Sequence, residues 1–88
     1  MLGVTRNHTA GNLQSKQKMM PSLRIQFGQR LRALRRERGL TQEQLAEMAH
    51  LSVDFISLVE RGINAPSFEN IEQLAKILKV PVAELFQM

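Results

Sequence analysis

Residues 41–61, TQEQLAEMAHLSVDFISLVER, decide the fold of this chain. Thr41, followed three residues later by Gln44, matches the capping box, in which the two side chains bind each other's backbone amides at a helix start. Ser52 can cap a second helix through its hydroxyl. We therefore predict two short helices joined by a three-residue turn, which is helix-turn-helix geometry. The helices are residues 42–49 and 53–61, and the turn is His50-Leu51-Ser52.

Helical spacing of apolar residues continues on both sides of this pair. Upstream, between a Ser22 cap and a stop at Gly39, the apolar residues are Leu23, Phe27, Leu31 and Leu34. Downstream, after a Ser67 cap, they are Phe68, Ile71, Leu74 and Leu78. Residues 80–86 are predicted as a last short helix. No segment has a strand pattern, so we predict an all-α, compact five-helix domain with the helix-turn-helix at helices 2 and 3.

Short helices of this kind bury too little surface alone and must share one core. Leu45, Met48 and Ala49 form the apolar stripe of the second helix, and Ile56 and Val59 that of the third. Gly28 within the first helix indicates a close packing neighbour. The predicted core is Phe27, Leu31, Leu34, Leu45, Ala49, Ile56, Val59, Ile71, Leu74, Leu78, Leu85 and Phe86.

Length and composition limit the classes to which the chain can belong. Its 88 residues are 43% hydrophobic and 23% charged, which fits one small domain. The absence of cysteine excludes disulfides, thiolate metal sites and thiol catalysis. No apolar run has the length of a membrane helix or a signal peptide. We expect a cytoplasmic protein.

Charge is unevenly distributed along the chain. Residues 1–21 carry a net +3, residues 22–38 a net +5 and residues 39–88 a net −4. The polar residues 1–21 have no apolar period and are predicted as a flexible basic leader, either an inert tail or an arm along a nucleic acid backbone. The domain itself is predicted at residues 22–88. This basic balance favours a polyanionic partner.

Several short motifs occur together in this domain: Arg35-x-x-x-Gly39-Leu40-Thr41-Gln42, Leu45-Ala46, Glu60-Arg61-Gly62 and Pro66-Ser67. In this combination, residues 25–86 resemble the phage-repressor (Cro and C1-like) helix-turn-helix family, also called XRE-type regulators. The resemblance implies a lambda-repressor-like fold. It also implies that the helix near residues 53–61 lies in the DNA major groove, while the helix near residues 42–49 crosses the backbone.

The resemblance assigns roles to individual positions. The base-facing residues would be Val53, Asp54, Phe55, Ser57 and Leu58. The phosphate-contacting residues would be Thr41, Gln42, Arg61, Asn64 and Ser67. Arg35 and Glu60 match a buried salt bridge of the family, whereas two solvated charges would stabilise the fold little.

Two features of the sequence depart from the family pattern, the base-facing residues and the turn residue His50. No base-facing side chain can make the bidentate contacts of Arg with guanine or Gln with adenine, which leaves thymine methyl groups, a cytosine amino group for Asp54 and a hydroxyl from Ser57. Asp54 could instead only favour its helix start, and Phe55 could fold back onto the core edge. His50 stands where the family commonly has a glycine in a backbone of positive φ.

The sequence favours a DNA-binding transcriptional regulator, acting as a homodimer on a palindromic operator in a bacterial or phage context. The dimer interface candidates are Val82, Leu85, Phe86 and Met88, with the alternative that Leu85 lies wholly in the core. The alternative is an antitoxin-like or other interaction module whose main partner is a protein, which the apolar recognition face and the acidic C-terminal half would suit. We predict no catalytic residues, metal or cofactor, and no enzyme.

Overall fold

The computed structural model describes residues 22–87, which contain four α-helices, one 3-10 helix and no strand. The predicted leader, residues 1–21, and Met88 lie outside these described residues. The elements in chain order are α1 (Leu23–Glu37), α2 (Gln42–Ala49), α3 (Val53–Glu60), α4 (Phe68–Leu78) and the C-terminal 3-10 helix (Val82–Phe86).

A hydroxyl side chain caps the start of each α-helix in this part of the chain. The caps are Ser22, Thr41, Ser52 and Ser67, and each accepts a bond from the amide three residues further on. At α2 the capping box is complete, because the Thr41 amide also donates to Oε1 of Gln44 at 2.8 Å. These caps satisfy amides that a helix start leaves unpaired, so the four predicted starts are confirmed.

Each helix end adopts a left-handed backbone that stops the helix. Gly39 (φ 70°) follows α1 and Gly62 (φ 78°) follows α3. His50 (φ 56°) ends α2 and Lys79 (φ 59°) ends α4. The turn at His50 therefore has the positive φ that the resemblance implied.

One apolar core joins the elements. α2 packs on α3 and α4, α1 packs on α3, and the 3-10 helix lies against both α1 and α4. Eleven of the twelve predicted core residues are buried, and Ala46 and Ala75 join them. The exception is Phe86, which is half-buried with its ring centroid 5.2 Å from that of Phe27.

Gly28 is the point where α1 approaches the end of α3 most closely. A Cβ atom there would clash with the carbonyl oxygen of Val59 and would lie 2.7 Å from that of Glu60. Only glycine permits this approach without moving one of the two helices. The predicted close packing neighbour is therefore the backbone of α3.

The last short helix, predicted at residues 80–86, is a 3-10 helix, so the all-helical fold is confirmed but the count of five helices is not. Residues 82–86 form a 3-10 helix, which begins after Pro81 without a side-chain cap. Five residues give too few hydrogen bonds to offset the cost of starting an α-helix. Only Leu85 of this segment is buried, and it holds the segment to the core.

Three apolar residues that share the spacing of predicted buried faces are exposed instead. Phe68 is 84% exposed, Leu23 54% and Met48 48%. Phe68 and Leu23 stand at the first position of α4 and α1. Helical periodicity gives the direction of a face but not how much of its length another element covers.

Two arginines, Arg30 within α1 and Arg38 at its C-terminal cap, hold the C-terminal elements in place. Arg30 donates to the carbonyl oxygen of Glu84 at 2.8 Å and to its Oε1 at 2.7 Å. Arg38 donates to the carbonyl oxygen of Leu78 at 2.6 Å. These bonds satisfy carbonyl groups at the end of α4 and in the 3-10 helix, where no helix bond is available.

Candidate nucleic-acid interface

The buried carboxylate of Glu60 connects α3 to the two helices before it. Nε of Arg35 donates to its Oε2 at 2.6 Å and Nη2 of Arg35 to its Oε1 at 3.0 Å. Nε2 of Gln42 donates to the same Oε1 at 3.0 Å. Glu60 ends α3, Arg35 belongs to α1 and Gln42 begins α2. One side chain thus fixes the position of α3 relative to both neighbours.

Burial makes this ion pair a structural one. Arg35 is 7% exposed and Glu60 6%. Nη1 of Arg35 also donates to the carbonyl oxygen of Leu40 at 2.8 Å. The hydrogen bonds to Glu60 raise the pKa of the Arg35 guanidinium above its ordinary value, against the opposing effect of burial. The pairing with Glu60 therefore favours the charged form of Arg35 despite its burial.

α3 presents a mixed surface at the positions that the resemblance assigns to bases. Asp54 is exposed, while Ser57 and Leu58 are half-buried. Val53 and Phe55 are half-buried and pack against the core. Phe55 thus takes the alternative in which its ring lies at the core edge, with part of it accessible. The accessible surface of α3 is therefore less apolar than its amino-acid composition.

The residues assigned to phosphates stand at two helix starts and in the loop between α3 and α4. The hydroxyls of Thr41 and Ser67 accept cap bonds and can still donate their own hydrogens outward. The first amides of α2 and α4 have no partner within their helices, and helix starts favour anions. Arg61 is exposed and Asn64 half-buried in that loop.

Gln42 has a role that the sequence did not reveal. Its side-chain amide donates to Glu60, so one of its two N–H groups is used inside the protein. A side-chain amide has two N–H groups, so this bond leaves the second one available to another acceptor. No local sequence signal links positions 42 and 60, because the contact forms only when α2 and α3 pack together.

Four of the six arginines in residues 22–38 are used within the fold. Arg30 and Arg35 bind carboxylates, and Arg24 and Arg38 bind carbonyl groups. From the sequence, the net positive charge of this segment was expected to attract a polyanionic partner. Much of its charge instead holds the helices together, and the described residues 22–87 carry nine basic against eight acidic side chains.

The dimer candidates do not form one surface. Leu85 is fully buried in the core, so it is unavailable to a partner and its place in the predicted interface is wrong. Phe86 is half-buried and Val82 is 40% exposed. Met88 lies outside the described residues. In the described part of the chain, only Val82 and the accessible part of Phe86 remain for such an interface.

Residues 22–87 contain neither a cluster of potential metal ligands nor a helix that could span a membrane. No group of three or more His, Asp or Glu side chains is placed to hold a metal ion there. No helix of this described part is long and apolar enough to cross a membrane.

A helix-turn-helix family, HTH_3, matches residues 31–85 of the sequence. This chain belongs to that family. A curated relative, the immunity repressor protein of Bacillus phage phi105, is 43% identical over 58 residues, which cover 66% of this chain and 40% of the relative. The control protein C.BamHI of Bacillus amyloliquefaciens is 37% identical over 68 residues, which cover 76% of this chain and 84% of the relative.

Solved structures share the arrangement of helices. The restriction-modification controller protein C.AhdI from Aeromonas hydrophila has a TM-score of 0.68 at 45% identity, covering 70% of this chain and 94% of that one. The DNA-binding domain of BldD has a TM-score of 0.68 at 31% identity, covering 77% and 100%. The matched part spans about half or less of the first curated relatives, 40% to 53% of their length.

Proposed function

We propose that this protein is a sequence-specific DNA-binding transcriptional regulator with α3 in the major groove. The observation that carries the proposal is the Glu60 network, which holds α3 rigidly against α1 and α2 while leaving Asp54 outward. Sharp base readout requires a helix held in one orientation. The family match and the repressor and controller relatives support the same function.

In this proposal, phosphate contacts flank the recognition helix on both sides. Thr41 and Gln42 bind at the start of α2, and Arg61, Asn64 and Ser67 bind after α3. Two copies place their α3 helices one DNA turn apart, about 34 Å, on a palindromic operator. The protein then acts in the cytoplasm of a bacterium or a phage-infected cell, where its operator is.

The test is selection of bound sequences from a random DNA pool, with affinity followed against salt. An enriched palindrome bound far more tightly than bulk DNA is the expected result. Weak binding that collapses with salt and enriches nothing would contradict the proposal.

Two variants distinguish the proposed phosphate contacts from the proposed base contacts. Arg61→Gln should weaken binding to all sequences about equally and lower the log–log salt slope by about 0.9, since it removes one phosphate contact. Asp54→Ser should change the preferred sequence with little loss of bulk affinity. Lys76→Gln is the matched charge control, because it removes the same charge in the last turn of α4, far from Ser67. Equal changes in preference from Arg61→Gln and Asp54→Ser would refute this docking.

The protein-partner alternative has less support in the structure than in the sequence. Its main argument was the apolar recognition helix, but Val53 and Phe55 use part of that apolar surface against the core. Regulation of transcription through DNA binding therefore remains the function that the structure favours.

A further inference from the structure

Two arginines of α1, Arg32 and Arg36, are exposed and are not used within the fold. Among residues 22–87, the guanidinium group of neither one takes part in a hydrogen bond or an ion pair. The other four arginines of residues 22–38 each donate to a carboxylate or a carbonyl oxygen. Arg32 and Arg36 stand four residues apart, so they are neighbours on one face of α1, and like charges at this spacing repel. The pair therefore lowers the stability of the free domain slightly.

The position of Arg32 is fixed by its neighbours on α1. Gly28 stands four residues before it and Arg35 three residues after it, so the three share one side of the helix. Gly28 closely approaches the carbonyl oxygen of Glu60, and Arg35 bonds to the Glu60 carboxylate. Arg32 therefore lies at the edge of the contact between α1 and the end of α3, where Arg61 is the cap residue.

The carboxylate at this end of α3 is already fully engaged. Glu60 is buried and accepts three bonds from Arg35 and Gln42. Arg61 is exposed and, like Arg32, forms no ion pair within residues 22–87. Three exposed guanidinium groups, those of Arg32, Arg36 and Arg61, thus belong to the edge where α1 meets α3. We call them the basic edge. Such a group of charges attracts a partner with closely spaced negative charges.

We propose that Arg32 and Arg36 bind the phosphate backbone of DNA beside Arg61. This inference rests on the proposed function, in which Arg61 contacts a phosphate next to the recognition helix, and that adjacency favours DNA over an acidic protein. Each DNA strand carries one charge per about 3.4 Å of axis, so neighbouring arginines can meet neighbouring phosphates. Arginine also forms paired hydrogen bonds with phosphate oxygens. Binding relieves the repulsion within the pair, so the two residues strengthen the complex at the expense of the free domain.

The first test measures binding of duplex DNA, both bulk and enriched from the random pool, by the variant Arg32→Gln with Arg36→Gln. We expect weaker binding to all sequences and a log–log salt slope lower by about 1.8, or about 0.9 for each lost phosphate contact. The matched control is Lys76→Gln with Lys79→Gln, which removes the same charge at the end of α4. Arg38 holds that end of α4 and stands two positions from Arg36, on another side of α1, so the control leaves the basic edge intact.

The second test is thermal unfolding of the same variants. Because Arg32→Gln with Arg36→Gln removes a repulsion and no bond within residues 22–87, its Tm should equal or exceed that of the wild-type protein. A lower Tm would show that the two arginines serve the fold and would overturn the inference.

The outcomes of the binding test separate this inference from the proposed function. An enriched palindrome with an unchanged slope in the arginine variant, or an equal fall in the control, overturns the inference alone. The unchanged slope would assign the pair to an acidic protein surface instead. Bulk binding that enriches no sequence but shows the expected fall in slope overturns the proposed function alone. A wild-type protein that binds no duplex DNA overturns both.

Discussion

The carboxylate of Glu60 accepts three side-chain hydrogen bonds while almost wholly removed from water. Each of its partners belongs to a different helix from its own. Charged groups are this deeply buried only when they are paired, because an unpaired buried charge is very costly. At the scale of a residue, this is the point on which the placement of α3 depends most.

We expect Glu60→Ala to lower the free energy of unfolding by about 3–5 kcal/mol, since it leaves Arg35 charged and without its carboxylate. Urea denaturation measures this loss. The matched control is Glu84→Ala, in the more accessible pair with Arg30, where we expect a loss of about 0.2–1 kcal/mol. Equal losses would show that burial of the Glu60 pair does not matter.

His50→Gly should leave stability unchanged or raise it by about 1 kcal/mol. The backbone at His50 has φ 56°, a region in which a Cβ atom is strained and glycine is not. His50→Ala keeps the Cβ atom and serves as the comparison, so it should be the less stable of the two variants. A clear loss of stability in His50→Gly, by thermal unfolding, would mean that the imidazole itself contributes.

At the scale of an element, α1 connects the rest of the domain. Gly28 packs against the end of α3, Arg35 reaches Glu60, and Arg30 reaches the C-terminal 3-10 helix. Arg38, the cap at the end of α1, reaches the end of α4. The helix that carries most of the arginine residues is therefore a structural support. A segment with this charge, considered alone, would indicate a nucleic-acid surface.

Gly28→Ala should destabilise the domain by about 1–3 kcal/mol or more, because the added methyl group meets the Val59 and Glu60 carbonyl oxygens. In an open helix the same change would stabilise, since alanine is the better helix former. Gln29→Ala, at the exposed neighbouring position, is the control and should change stability little. Chemical denaturation of the two variants distinguishes these expectations.

The sequence predicted local features of these elements better than contacts between them. The caps at Ser22, Thr41, Ser52 and Ser67 depend on residues within one turn, and each was predictable from its own neighbours. The contacts of Arg30 with Glu84 and of Gln42 with Glu60 join distant positions, and no local pattern encodes them. The resemblance to a known family supplied the one long-range pair, Arg35 with Glu60, that was anticipated.

At the scale of the whole molecule, exposure was the least predictable property. Helical spacing placed Phe68 and Met48 with their buried neighbours, but among residues 22–87 they stay 84% and 48% exposed. Leu85 was predicted both as a core residue and as a dimer-interface candidate, and its complete burial confirms only the first of these. Which apolar residues stay accessible depends on how the helices end and cross, and therefore on the assembled fold.

The exposure of apolar side chains also gives a test of the proposed homodimer. Val82→Ser should weaken self-association, as seen in sedimentation at several concentrations, with little effect on the stability of the monomer. Val82 is 40% exposed beside the accessible part of Phe86. Met48→Ser is the control, because it removes a comparably exposed apolar side chain from α2. If both variants associate like the wild-type protein, the interface lies elsewhere.

In α3, the residues that attach the helix to the domain differ from those assigned to bases, and this separation matters for redesign. Attachment to the domain depends on Ile56, Val59 and Glu60, which lie in the second half of the helix or face inward. None of the contacts described above uses the side chain of Asp54 or Ser57 to attach α3 to the domain. A library that randomises positions 54 and 57 while keeping the three attachment residues should therefore yield folded proteins with many different operator preferences.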